Sequence, residues 1–167
     1  KDWACTREFG LGTKLPWDEK WVIESLSDST IYMAYYVLAK YFEDSSFNID
    51  PEKLDDYFFD YIYLNKGEID EVSSKSGLSK ELVSDMKKEF DYWYPFEFRN
   101  SGKDLIQNHL SFCIFNHAAI FPEELWPRGF GVNGWVLVDG EKMSKSKGNF
   151  YTVKQIVKMY GADAARI

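Results

Sequence analysis

Residues 142–149 read KMSKSKGN: three lysines, two serines and a glycine in eight residues. Lysine ammonium groups are compact positive charges, and small residues let a main chain come close to a phosphate. Lys142 and Lys145 stand three apart and can straddle a polyphosphate, with Ser144 and Ser146 as the small residues beside them. Their charge would count most where negative charge develops on a transferring phosphoryl group. The same string also describes a simple exposed basic turn. Gly148 allows a turn that other residues resist, nothing large anchors the stretch from Lys145 to Asn149, and Glu141 is its one acidic neighbour in sequence. The lysines are therefore expected to repel one another and to leave Met143 to Asn149 open and mobile until a polyanion binds.

The rest of the chain is not basic. The formal net charge is −7, and residues 43–93 alone carry a net −8, against +5 from residue 142 to the end. A protein that grips long nucleic acid carries a broad basic face. One short basic stretch suits a small polyanion such as a nucleotide phosphate. With 45% hydrophobic and 18% aromatic residues, the 167-residue chain has enough apolar mass for a core. No run approaches the roughly 18 apolar residues of a membrane span, so no membrane is expected as partner. Cys5 and Cys113 lie in no CxxC pattern, which gives neither a disulfide framework nor a zinc site and points to a reduced, cytoplasmic compartment. The chain starts without methionine and stops just inside a new helical stretch, as a piece of a longer protein would.

The elements that must position the loop follow from periodicity. Trp21 to Leu26 reads as a strand, SDST as caps, and Ile31, Ala34, Tyr35, Leu38 and Phe42 as a helical stripe. Together they make a βα unit, in which ligands gather at the strand's C-terminus. Asp50 and Pro51 open an acidic helical region, and Ser79 caps a helix with Leu82, Met86, Phe90 and Trp93 on one stripe, stopped by Pro95. The bland reading of its charge is a solvated face. Residues 100–121 return to the helical period, with Ser101 and Asp104 as a capping box and Leu105, His109, Phe112, Cys113, Asn116 and Ile120 on one face. Gly131 to Val138 reads as a strand, Asp139-Gly140 as a tight turn into the lysine loop, and Thr152 with Gln155 as a capping box on a helix that Gly161 stops.

A second candidate site lies in SGKDLIQNH. Gly102 would let a ribose lie against the main chain, and Asp104 could accept hydrogen bonds from its hydroxyls. Asp104 as a capping residue and nothing else is the competing reading. His117 fits a structural, hydrogen-bonded histidine.

The string KMSKS is the signature loop of class I aminoacyl-tRNA synthetases. DWACTREFGLGTKLPW resembles the segment by which these enzymes return from their editing insertion. IESLSDSTIYMAYY and SGKDLIQNHLSFCIFNHAAIFPEELWPRGFGVNG resemble the archaeal and eukaryotic cytosolic leucyl-tRNA synthetases. The resemblance covers nearly the whole chain. It implies an α/β fold: the second half of a parallel Rossmann-type nucleotide-binding sheet with a small helical insertion. The parts would be residues 1–42 (catalytic), 43–95 (acidic insertion), 96–140 (catalytic) and 141–167 (lysine loop and following helical region).

The implied activity is ATP-dependent activation of leucine and transfer to tRNA(Leu), with Mg²⁺ accompanying ATP. Lys142 and Lys145 would be catalytic. Lys142, Ser144, Lys145, Ser146, Gly102, Asp104 and the main chain of Trp135, Val136 and Leu137 would hold ATP. Leu26 at a strand end, Tyr32, Arg99 and His109 would line the amino-acid pocket. The family's other ATP-gripping motif, HIGH, is missing from these residues, so the chain alone is expected to be inactive. A class I synthetase for another aliphatic amino acid, or a non-catalytic scaffold, remains as the alternative.

Overall fold

The computed structural model describes residues 4–166. Residues 1–3 and 167, which fall in the first and last of the expected parts, lie outside that range. The chain divides into two compact units, Lys1–Val132 and Asn133–Ile167.

The first unit opens on a three-stranded antiparallel sheet in the order β1-β3-β2: β1 (Thr6–Arg7), β2 (Lys14–Leu15) and β3 (Asp18–Ile23). The strand expected over Trp21 to Leu26 thus starts earlier and ends at Ile23. Glu24 ends it. Its buried carboxylate caps α1 (Ser25–Asp28) by accepting from the Leu26 N–H at 2.9 Å, and it also pairs with the Arg7 guanidinium. Leu26 therefore sits in a short helix, not at a strand end, and the strand before it has antiparallel partners.

Next comes α2 (Tyr32–Glu43). Its N-cap position falls on Ile31, after SDST, and has no side-chain cap. Ala34, Leu38 and Tyr41 are its buried positions, whereas Tyr35, expected on the stripe, is exposed. Asp50 caps a short 3₁₀ turn over Pro51–Lys53, with Pro51 in the first position. A second cap, Asp55, accepting from Phe58 N–H at 3.1 Å, starts α3 (Asp56–Leu64). Then follow α4 (Ile69–Ser76) and α5 (Lys80–Trp93), where Ser79 caps as the sequence suggests. The acidic residues of this region stay outside, but its apolar residues make much of the core. Phe58, Ile62, Val72, Val83, Met86 and Phe90 are fully buried, and α2 packs on α5. The buried stripe of α5 runs through Val83 rather than Leu82, and Trp93 lies exposed at its edge.

β4 (Arg99–Gly102) pairs with β5 (Phe130–Asn133). Arg128 N–H donates to the Phe96 carbonyl at 3.1 Å and Arg99 N–H to the Gly129 carbonyl at 3.0 Å, so the pairing advances the same way along both segments and the sheet is parallel. The crossover between them holds a 3₁₀ turn at Lys103–Leu105, a π-helical turn at Ile106–Leu110 and α6 (Ser111–Ile120). Helix therefore starts only at residue 103, and Ser101, inside β4, forms no capping box with Asp104. The wide π turn shifts the buried face to His109, Leu110, Cys113 and His117, with Ile120 exposed.

His117 is fully buried. Its Nδ1–H donates to the Cys113 carbonyl at 2.6 Å, and its Nε2 accepts from the Tyr94 hydroxyl. Burial pushes the Tyr94 phenol above its ordinary range, the Cys113 thiol up to about 11, and the His117 imidazole below 6.5. The folded chain thus holds a neutral imidazole, while the unfolded chain takes up a proton near 6.5. This contribution to stability is full above pH 6.5 and is lost as the pH falls below it toward the folded value. Urea denaturation between pH 7 and about pH 5.5 is expected to show falling stability, with a shallower slope in His117→Gln. Equal slopes in the two proteins would remove His117 as its source.

The second unit begins with a hairpin of β6 (Leu137–Val138) and β7 (Glu141–Lys142), paired Leu137↔Lys142 and Val138↔Glu141. The strand expected over Gly131 to Val138 is thus two strands with a break between Asn133 and Leu137. Asp139 and Gly140 have φ of 51° and 78°, the two positive values of a type I′ turn. After the lysine loop, Thr152 and Gln155 form the full capping box of α7 (Val153–Tyr160); Gly161, at φ 87°, ends it before α8 (Ala162–Arg166). Among the described residues no helix is long and apolar enough to cross a membrane.

Candidate functional site

In the second unit the tight hairpin delivers Lys142 to the start of the loop. Its ammonium lies 3.7 Å from the centroid of the Trp135 ring. The Lys147 ammonium bonds Glu141 at 2.9 Å. Two of the three lysines thus have partners outside the loop, Trp135 and Glu141. Lys145 has no ion-pair or ring partner among the described residues. The loop is also braced. Ser144 N–H donates to Asn149 Oδ1 at 2.9 Å, Asn149 Nδ2 donates to the Lys142 carbonyl at 3.2 Å, and the Ser144 and Ser146 hydroxyls bond at 2.7 Å. Gly148, at φ 70°, turns its N–H onto the Lys145 carbonyl at 3.3 Å. Lys142, Met143, Ser144, Glu141 and Lys147 surround an open depression of about 610 Å³. Trp135 is partly exposed, and the Val136 and Leu137 side chains face solvent. Asn149 and Lys147 are participants to which sequence reasoning gave no role, and Glu141, noted there only as an acidic neighbour, is the partner of Lys147.

In the first unit Gly102 and Asp104 are tightly joined. A Cβ on Gly102 would lie 2.6 Å from the Asp104 carboxylate, so glycine is needed for that carboxylate to fold back over the main chain. The turn that begins at Gly102 has no side-chain cap, so the capping reading of Asp104 fails.

Three of the four expected pocket residues meet nearby. The Arg99 guanidinium lies 5.2 Å from the Tyr32 ring centroid. His109 is buried; its Nε2–H donates to the Ser29 carbonyl at 3.3 Å, and its Nδ1 has no hydrogen-bond partner among the described residues. Burial, with the positive Arg99 adding to it, holds the His109 imidazole below 6.5, which keeps Nδ1 an unprotonated acceptor. Ser29 and Tyr32 line a mainly apolar cavity of about 480 Å³ with Ser25, Ile31, Ala34 and Tyr63. Of the four expected pocket residues only Tyr32 is in its lining: α1 carries Leu26 away from the expected strand end, Arg99 touches the cavity's wall only through Tyr32, and His109 only through the Ser29 carbonyl. Ser25 and Ser29 were missed; the serine-rich turn reads as capping sequence. Such a cavity can take an aliphatic side chain. Among the described residues no three His, Cys, Asp or Glu side chains cluster as metal ligands.

Comparison with known proteins gives one family. The family model described as tRNA synthetases class I (I, L, M and V) matches residues 1–167. The chain is 59% identical over 167 residues to a leucine–tRNA ligase of Aeropyrum pernix. It is 55% identical to those of Nanoarchaeum equitans and Methanocaldococcus jannaschii. In each case the match covers 99% of this chain and 17% of the relative. The chain therefore spans about a sixth of the length of the curated relatives it matches.

Proposed function

Since this chain belongs to the class I tRNA synthetases, we propose that it is the part of a leucine–tRNA ligase that carries the pyrophosphate-side lysine loop and part of the leucine pocket. The observation that carries this reading is the braced KMSKSKGN loop, with an open depression lined by Lys142 and Lys147 and with the Lys145 ammonium left without an ion-pair or ring partner among the described residues. The names of its relatives supply the amino acid.

The leucine carboxylate oxygen attacks the α-phosphorus of ATP. The bond from that phosphorus to the bridging oxygen breaks, and pyrophosphate leaves with the electron pair. Lys145, with Lys142 released from Trp135, meets the charge gathering on the leaving group. Ser144 and Ser146 keep that wall small. Asp104, folded over Gly102, accepts hydrogen bonds from ribose hydroxyls, and the main chain of Trp135 to Leu137 takes the adenine edge. Tyr32, Arg99 and His109 hold leucine, and Leu26 supports them from α1. Mg²⁺ would come held by the ATP phosphates rather than by side chains of this chain, and would neutralise part of their charge. The 2′-hydroxyl of the terminal adenosine of tRNA(Leu) then attacks the leucyl carbonyl, the bond to the phosphate oxygen breaks, and AMP leaves with that electron pair as the hydroxyl proton passes to its phosphate. No side chain forms a covalent bond; positioning and charge carry the reaction.

This reading takes the parallel β4–β5 pair as part of the second half of a Rossmann-type sheet. It keeps residues 43–95 as an insertion between catalytic parts 1–42 and 96–140, with 141–167 as the loop and the start of the next region. The enzyme acts in the cytoplasm. The test is ATP–pyrophosphate exchange by the full-length parent across amino acids. Leucine should drive it best; isoleucine or valine driving it better would overturn the assignment. The 167-residue chain alone, without a HIGH motif, should not leucylate tRNA, and robust leucylation by it would count equally against the reading.

A further inference from the structure

The carboxamide of Asn149 makes two main-chain bonds across the neck of the lysine loop. Its Oδ1 accepts from Ser144 N–H at 2.9 Å and its Nδ2 donates to the Lys142 carbonyl at 3.2 Å. A main-chain N–H can only donate and a carbonyl can only accept, so one amide orientation satisfies both. An aspartate would keep the first bond and set oxygen against oxygen at the second. Inside the neck, the Gly148 N–H reaches the Lys145 carbonyl, and the Ser144 and Ser146 hydroxyls join. Lys147 is drawn to Glu141. The backbone of Lys145 is thus fixed from both limbs, while its ammonium is left without a partner among the described residues.

We propose that Asn149 is a positioning residue: its carboxamide is a crossbar that sets the loop backbone, and thereby aims Lys145, before any phosphate arrives. A neutral amide suits this task. A charged crossbar of either sign would compete with the lysines or with the incoming phosphate. Preset geometry spares the loop from being ordered anew in every turnover. The crossbar stands on the hydrogen bonds; what it aims Lys145 at rests on the function proposed above.

The experiment uses the full-length parent with Asn149→Ala, Asn149→Asp, Lys145→Ala and the Asn149→Ala/Lys145→Ala pair. Without ATP, hydrogen exchange over residues 141–151 should show lost protection at Ser144 in Asn149→Ala and retained protection in Asn149→Asp. In leucine-dependent ATP–pyrophosphate exchange, Asn149→Ala should lower kcat about tenfold with leucine KM unchanged, the scale of one or two ordinary hydrogen bonds. Asn149→Asp should lose at least as much. In the Lys145→Ala background, Asn149→Ala should cost under about twofold, because a residue that acts through Lys145 has nothing left to aim. Unchanged protection in Asn149→Ala overturns the crossbar. Lost protection with unchanged kcat, or a full tenfold loss without Lys145, overturns the positioning role. A parent without leucine-dependent exchange would overturn the functional reading and the target of the aiming, while protection at Ser144 would still judge the crossbar by itself.

Discussion

Replacing Lys145 by alanine in the full-length parent is expected to lower kcat for leucyl-adenylate formation about a hundredfold, the loss seen when one transition-state charge donor is removed. Leucine KM should move by less than about twofold, since the lost contact is to a leaving group whose charge grows only as the bond breaks. The other two lysines sharpen the test. Lys147 is held by Glu141 in a pair with both side chains 60% exposed, so Lys147→Ala should change kcat by no more than about twofold. Lys142 must leave the Trp135 face before it can reach a phosphate, so Lys142→Ala should fall between the two. Pre-steady-state measurement of adenylate formation reads all three. A Lys145→Ala defect confined to leucine KM, or a Lys147→Ala defect as large, would refute the assignment of Lys145.

That ordering of the lysines could not be read from the sequence. KMSKSKGN gives the residue types and the family, and Asp139-Gly140 gives the turn that aims the chain into the loop. It does not say that Lys142 lies on Trp135, seven residues back, or that Lys147 reaches Glu141 across the loop's neck. Those pairings depend on the hairpin register and on the turn at Gly148, which bring distant positions side by side. The role of Asn149 was hidden for the same reason: its partners are main-chain atoms, and every residue has those. The Ser29–His109 bond joins residues 80 apart.

The fold was legible where local chemistry decides it. Ser79, Thr152 and Gln155 cap the helices they were expected to cap, because a cap needs only its own turn, whereas Asp50 caps only the 3₁₀ turn before the helix that Asp55 starts. It was not legible where tertiary contact decides. Trp21 to Leu26 is apolar enough to continue as a strand, but the pairing of buried Glu24 with exposed Arg7, 17 residues apart, stops it. The π turn at Ile106–Leu110 moves the buried face of the following helix, so a face drawn at constant helical period is wrong beyond it. In α5 both Leu82 and Val83 fit the apolar pattern; α3 and α4, packed against it, select Val83.

Phe90→Ala should remove more stability than any surface change in the first unit, about 3–5 kcal/mol. Phe90 is fully buried, and its ring centroid lies 4.8 Å from Tyr63, 4.8 Å from Tyr94 and 6.5 Å from Phe121. Those neighbours come from α3, from the end of α5 and from the end of α6. Filling the void would need all three to move, so most of the cavity would remain, and the aromatic contacts are lost as well. The loss is a large share of the roughly 5–15 kcal/mol that holds a domain folded. Native-state hydrogen exchange over α3 and α5 in the parent should show the drop in opening free energy. Tyr92→Ala, at a side chain 77% exposed, should stay within about 0.5 kcal/mol. The effect should also reach the site. Tyr63 and Phe121 rest on Phe90 and form part of the wall of the 480 Å³ cavity that Tyr32 and Ser29 share. Phe90→Ala is therefore expected to raise leucine KM, the reverse of the pattern for Lys145→Ala. Lowered protection in α3 and α5 with leucine KM unchanged would mean that this cavity is not where leucine binds.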